Sequence, residues 1–266
     1  MWEAIGLGII QGITEFLPIS SSGHLILAPK IFGWNEPGLA FDAMIHLATA
    51  LAVAIALRSE IWTLIVGLSK PQDSEDGRQS RRLTGMIILA SIPVAIAGIL
   101  GEDLIEEKLR SAIIVAAALV LGAILLYLAD RRASNSEPIV SQLSEINYKQ
   151  ALVVGLAQAG SLIPGISRSA ATIAAGLGMK FSRETAVKFS FLAGLPAVVG
   201  AGLLGAWKSL GGDGEIVILA VAFLAALVAG ILSIKLLLLV ARKTNFNIFV
   251  IYRIALGIIL FLFWME

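Results

Sequence analysis

Two clusters of polar side chains interrupt a chain that is otherwise strongly apolar. Gln11, Glu15, Ser20, Ser21, Ser22 and His24 form the first, and Ser167, Arg168 and Ser169 the second. Gln11 and Glu15 stand four apart, the spacing that puts two side chains on one helix face, and His24 follows Ser20 by the same interval. Each serine group follows a proline, Pro18 or Pro164. Serines there serve as N-caps of a helix that restarts, where free N–H groups and the positive end of the helix dipole can receive an anion. A guanidinium between two hydroxyls, as in Ser167-Arg168-Ser169, has the composition of a phosphate clamp. Together these groups suit phosphoryl transfer: a serine nucleophile or a positioned water, a base for its proton, and cationic charge on the equatorial oxygens. Taken singly, a glutamate or histidine within a membrane is more often a packing hydrogen bond or an ion relay, and serines are commonly glue between helices. Their coincidence at two breaks is what favours chemistry.

The elements that must hold these groups are membrane helices. Of 266 residues, 58% are hydrophobic and 15% charged, with a mean hydropathy of +0.89, far from the usage of soluble domains. The apolar runs lack the alternation of an outer-membrane barrel, so the expected class is an all-α integral membrane protein. A net charge of +1 offers no field for nucleic acid, and the absence of cysteine excludes disulfides, thiolate metal sites and thiol nucleophiles. The first fifteen residues lack the basic region and cleavage site of a signal peptide, so the N-terminus is expected to stay attached. Six segments read as full spans: about 41–57, 83–100, 111–128, 185–207, 215–240 and 248–264. Two more, about 1–32 and 148–178, are apolar but broken in the middle, and read as re-entrant hairpins with irregular backbone at membrane depth. The stretches 69–82 and 133–147 read as cytoplasmic loops.

Charge and repetition give one topology. With the first span running inward, fourteen of the twenty basic residues fall on one side, which the positive-inside rule makes cytoplasmic. Both termini are then outside, and the two hairpins enter from opposite faces to meet near the midplane. Independently, Gly8, Gln11 and Ser20 to Ser22 align with Gly155, Gln158 and Ser167 to Ser169 at a constant offset of 147, and Phe41 with Phe189 at nearly the same one. A single membrane domain, 1–266, is therefore expected to hold a first repeat, 1–132, and a second, inverted repeat, 148–266, each a hairpin plus three spans. Inverted repeats with broken helices are also a transporter device, so a secondary transporter or a polyprenyl-phosphate flippase is the alternative to an enzyme.

Other polar residues read as structural. Asp42 and His46, four apart, are expected to form a hydrogen-bonded pair. Glu102, Asp103, Glu106 and Glu107 read as a solvated outer loop, and Glu184 as a capping or interface charge. Arg253 reads as snorkelling or paired inside the bundle, and the glycines of 194–205 as close helix packing.

The strings Gln11-Gly12-Ile13-Thr14-Glu15-Phe16-Leu17-Pro18-Ile19-Ser20-Ser21-Ser22-Gly23-His24 and Pro164-Gly165-Ile166-Ser167-Arg168-Ser169-Ala170-Ala171-Thr172 resemble the two signatures of the undecaprenyl-diphosphate phosphatase family, also called bacitracin-resistance proteins. The resemblance extends over essentially the whole chain. It implies an enzyme of the bacterial inner membrane that hydrolyses undecaprenyl diphosphate to the monophosphate and inorganic phosphate, recycling the carrier lipid of cell-wall synthesis, with its site open to the outer face. Carried over by position, it makes Glu15, Ser21, His24 and Arg168 catalytic, with Ser21 the nucleophile. Gln11, Ser20, Ser22, Ser167, Ser169 and Thr172 become substrate-binding. It also implies a divalent cation, Mg²⁺ or Ca²⁺. Because the first position of the carboxylate pair is Gln11 rather than glutamate, Glu15 is the one carboxylate of that pair left to hold it. The partners expected are the lipid substrate, membrane lipids and, as one arrangement, a second copy in a homodimer.

Overall fold

A computed structural model describes residues 1–35, 38–109, 111–208 and 216–265, without the side chains of 39, 102–107 and 263–265. The described residues are helical apart from turns, short connections and one isolated bridge between Val140 and Phe181. The helices are α1 (Trp2–Thr14), α2 (Ser21–Phe32), α3 (Leu39–Ala56), α4 (Arg58–Ser69), α5 (Glu75–Lys108), α6 (Ala112–Ser134), α7 (Tyr148–Gly160), α8 (Arg168–Gly178), α9 (Arg183–Lys208), α10 (Ile216–Lys243) and α11 (Asn247–Met265).

Four of them, α5, α6, α9 and α10, are long and apolar enough to cross a bilayer, and a fifth crossing results if α3 and α4, bent by 77° at Leu57, count as one. The chain is a multi-pass membrane protein, with four or five such spans among the described residues where six were expected. The sixth expected span, 248–264, falls on α11, a helix of 19 residues whose side chains are described only as far as Leu262. The first, 41–57, falls on α3, and α4 follows it as a separate helix where the sequence reads as a loop. Helix α5 extends past its expected span at both ends. Its first turns take in residues read as loop, where Glu75 accepts from Arg78 and Gln79 at the helical spacings of three and four. Glu102, Asp103, Glu106 and Glu107 fall on its last turns rather than in an outer loop, and their side chains lie outside the described residues.

Polarity is inverted relative to a soluble protein. Ile88, Leu232 and Ile251 face outward, while Gln11, Gln158, Ser169, Thr172 and Arg253 are buried, as expected where the solvent is hydrocarbon and polar groups must find partners inside. The main apolar core joins Phe16, beside the first break, to Phe189 and Phe191 of α9, and Phe16 meets Phe191 edge-on with centroids 5.3 Å apart.

Helix pairing sets the frame of the site. α1 packs on α10 and α7 on α5, while α3 meets α9, and α6 lies against α8 and α11. Two glycines allow the first two contacts. A Cβ on Gly8 would lie 2.5 Å from the Ala222 carbonyl oxygen, and one on Gly155 2.7 Å from that of Ala90.

Candidate active site

Both expected breaks are present. α1 ends at Thr14 and α2 begins at Ser21; α7 ends at Gly160 and α8 begins at Arg168. Neither proline can continue a helical hydrogen-bond ladder, and each chain restarts through a serine with positive φ, 76° at Ser20 and 71° at Ser167. Such backbone costs a non-glycine residue about 1–3 kcal/mol and persists only where its surroundings hold it. Ser167 caps α8, its hydroxyl accepting from the Ala170 N–H at 3.4 Å. Ser20 occupies the N-cap of α2, but its hydroxyl meets that of Ser22 at 3.1 Å instead.

The breaks touch each other directly. The Gly165 N–H donates to Ser22 Oγ at 3.1 Å, and Ser169 Oγ donates to the Leu17 carbonyl at 3.2 Å. This contact carries the charged groups together across 153 positions of chain: Arg168 Nη2 donates to Glu15 Oε1 at 3.0 Å, with both side chains largely shielded. The other carboxylate oxygen accepts from Ser21 Oγ at 2.9 Å and from Gln11 Nε2 at 3.3 Å. One carboxylate is thus shared by a hydroxyl, an amide and a guanidinium drawn from both breaks.

Thr172 stands one turn into α8, its hydroxyl donating to the Arg168 carbonyl at 2.7 Å and lying 2.5 Å from that of Ser190 on α9. It braces Arg168 from behind. The expected pairing of Asp42 and His46 runs through the backbone: His46 Nδ1 donates to the Asp42 carbonyl at 2.7 Å. Glu184 is an interface charge, accepting from Arg242 of α10 and Lys188 of its own helix.

His24 is placed differently from the other expected catalytic groups. Its Nδ1 lies 2.7 Å from the Ser20 carbonyl, which can only accept, so Nδ1 carries the proton; in the neutral ring Nε2 accepts from the Tyr252 hydroxyl at 2.6 Å. The two rings stack almost parallel. No hydrogen bond joins His24 to Glu15 or Ser21 among the described residues. The imidazole holds the strained turn at Ser20, and Tyr252, 228 residues away, holds the imidazole.

Four buried polar atoms at or beside the site lack a partner among the described residues: Arg168 Nε and Nη1, Gln11 Oε1 and Gln158 Oε1. Unpaired buried donors are costly, and on a guanidinium beside two helix N-termini they offer direct capacity for an anion. Space for this guanidinium is left by Gly194, where a Cβ would stand 1.5 Å from Arg168 Nη1. Gly194 therefore does more than let helices approach; it is the slot in which the arginine lies. Gly194→Ala is expected to displace Arg168 and lower turnover about a hundredfold, the scale of a 1 Å misplacement of reacting groups. Gly200→Ala, whose added methyl meets nothing within 4 Å among the described residues, serves as the control in the same turnover measurement.

The site residues come from several helices and both breaks, and among the described residues no three His, Asp or Glu side chains gather to hold a metal. What emerges is a helical membrane protein with a carboxylate–hydroxyl–guanidinium site where two interrupted helices meet. The family profile described as Bacitracin resistance protein BacA matches residues 4–259, and the chain belongs to that family. An undecaprenyl-diphosphatase of Elusimicrobium minutum (strain Pei191) is 44% identical over 97% of this chain and 96% of its own length. Proteins of the same name from Chlorobium phaeovibrioides and Caldicellulosiruptor bescii are 41% and 40% identical, each over at least 96% of both chains.

Tyr252 escaped the sequence reading, whereas Gly194 was read as close helix packing and Arg253 as snorkelling or paired inside the bundle, and the structure shows the pairing. Tyr252 carried no local signal of a place in the site, and Gly194 only that of a run of glycines. Arg253 carried one, as a charge in the middle of an apolar helix, the usual mark of a functional group in a membrane segment.

Proposed function

We propose that the chain hydrolyses undecaprenyl diphosphate to undecaprenyl phosphate and inorganic phosphate, recycling the carrier lipid of cell-wall synthesis. The observation that carries this reading is the single Glu15 carboxylate shared by Ser21 and Arg168. Arg168, with its two unpartnered nitrogens, and the N-terminal N–H groups of α2 and α8 receive the diphosphate. Ser21 Oγ attacks the terminal phosphorus and Glu15 takes the hydroxyl proton. The bond to the bridging oxygen breaks, and its electron pair leaves on the lipid monophosphate. Water then cleaves the phosphoserine, releasing phosphate and restoring the hydroxyl. Ser20, Ser22, Ser167 and Ser169 shape the anion site, and Gln11 and Thr172 hold Glu15 and Arg168 in place. His24 serves the second step, taking the proton of the water that attacks the phosphoserine, for which Nε2 must exchange the Tyr252 phenol for that water.

The reading includes Mg²⁺ or Ca²⁺. The donor set suits a hard cation, because Glu15 and the orphaned Gln11 Oε1 are oxygen ligands, with water and the substrate's phosphates completing the shell. Such an ion would neutralise phosphate charge.

The same reading takes 1–132 and 148–266 as inverted copies whose re-entrant hairpins meet at the midplane of a bacterial inner membrane, with the site open outward. Pairs at the offset of 147 support it. Gly8 and Gly155 make equivalent contacts, Gln11 and Gln158 are both fully buried with orphaned Oε1, and Ser20 and Ser167 share positive φ.

The test is phosphate release from undecaprenyl diphosphate by purified protein in detergent. Release that a chelator suppresses and Mg²⁺ or Ca²⁺ restores is expected. No release would end the reading, and release indifferent to chelator would remove the cation from it.

A further inference from the structure

Arg253, in the middle of α11, has no solvent-exposed surface, yet it donates to no carboxylate among the described residues. All its acceptors are backbone carbonyls, and they lie on three separate segments. Nε donates to Leu119 of α6 at 3.2 Å, Nη1 to Pro18 of the first break at 3.2 Å, and Nη2 to Gly165 and Ile166 of the second break at 3.0 and 2.9 Å.

The choice of acceptors has a physical reason. The α6 carbonyls of Ala118 and Leu119 are already engaged by their own ladder, whereas those of Pro18, Gly165 and Ile166, in the interrupted helices, are free and, buried, need a donor. A guanidinium presents five N–H groups in a rigid fan, so one side chain can satisfy carbonyls from several directions and fix their separation. An ammonium, with three donors around a point, cannot span the same set. The molecule also reserves room for this fork, since a Cβ on Gly122 would lie 2.1 Å from Arg253 Nη2 and 2.8 Å from the Ile166 carbonyl oxygen.

The acceptors flank the working groups. Pro18 lies between Glu15 and Ser21, and Ile166 is two residues before Arg168. We infer that Arg253 is a positioning residue: by holding the carbonyls of both breaks at once, it sets the register at which Ser21 and Arg168 share the Glu15 carboxylate. The geometric claim stands on the hydrogen bonds alone; its kinetic consequence rests on the proposed phosphatase reading.

Two variants of the full chain test it, Arg253→Lys, which keeps the charge and loses the fork, and Gly122→Ala, which keeps the arginine and crowds it. Arg253 does not touch the substrate, so both are expected to lower kcat for undecaprenyl diphosphate at least tenfold while KM stays within threefold of wild type. The gel-filtration profile should stay that of folded wild type, with thermal unfolding lowered by the carbonyls left without a donor. The absence of cysteine permits a second readout. Spin labels on Ile13→Cys and Ile163→Cys, both outward-facing and each beside one break, report the distance between the breaks; labels on Ile88→Cys and Leu232→Cys, on α5 and α10, are the control. In either variant the 13–163 distance distribution should broaden or shift while the 88–232 distribution does not.

Unchanged kcat in both variants, an unchanged 13–163 distribution, or equal broadening of both pairs would overturn the inference, the last by making Arg253 a general packing residue. If wild-type protein releases no phosphate, the phosphatase reading falls, and the label distances still decide whether Arg253 couples the breaks.

Discussion

Arg168→Ala is expected to lower phosphate release by about a thousandfold or more, the scale on which a transition-state arginine acts in phosphoryl transfer, in protein that elutes and unfolds like wild type. Two losses combine in this variant. The guanidinium whose Nε and Nη1 await an acceptor disappears, and with it the charge that would offset the equatorial oxygens. Glu15 also loses the partner of its Oε1, though Oε2 keeps Ser21 and Gln11, so the break retains most of its hydrogen bonds. Arg168→Lys separates the two effects. A lysine restores charge near Glu15 but offers a point rather than a fork, and should recover little of the activity. Turnover within tenfold of wild type in the alanine variant would remove the clamp from the mechanism.

The parts of this site that were legible beforehand are those written in adjacent residues. Proline followed by serines, inside an apolar run too short to cross twice, predicts a break with a capped restart, and α2 and α8 begin where the serines stand. The offset of 147 likewise pointed to two breaks of one design, and Glu15 and Arg168 do meet. What stayed hidden depends on the third dimension. Arg253 gathers carbonyls from residues 18, 118, 119, 165 and 166, and no spacing along α11 encodes that set. Tyr252 and Gly194 matter only because His24 and Arg168 come to rest against them. The helix α4 was missed for another reason. Its ends carry Arg58, Glu60 and Lys70, which mark a loop by charge, while its exposed Trp62 and Ile65 give no buried stripe from which to read a period.

The pairing of Ser21 with Glu15 makes a sharper demand than either residue alone. If Glu15 removes the Ser21 proton during attack, the two form one catalytic unit, and disabling either disables both. Glu15→Gln preserves shape but turns one acceptor oxygen into an NH2 donor and cannot accept a proton, and should cost about 10²–10⁴-fold in kcat, the usual range for a general base. Ser21→Ala removes the nucleophile, and should cost at least as much. The double variant should be scarcely worse than the more impaired single one, since groups acting as a unit are strongly non-additive. Losses that multiply would mean that Glu15 acts elsewhere than on Ser21. Brief exposure to substrate labelled in the terminal phosphate supplies the chemical counterpart. Wild-type protein should carry label on Ser21, and Ser21→Ala none. Unlabelled wild-type enzyme, together with Ser21→Ala turning over within tenfold of wild type, would hand the attack to a water positioned by Glu15, and the 2.9 Å bond between the two side chains would then orient that base rather than activate the serine.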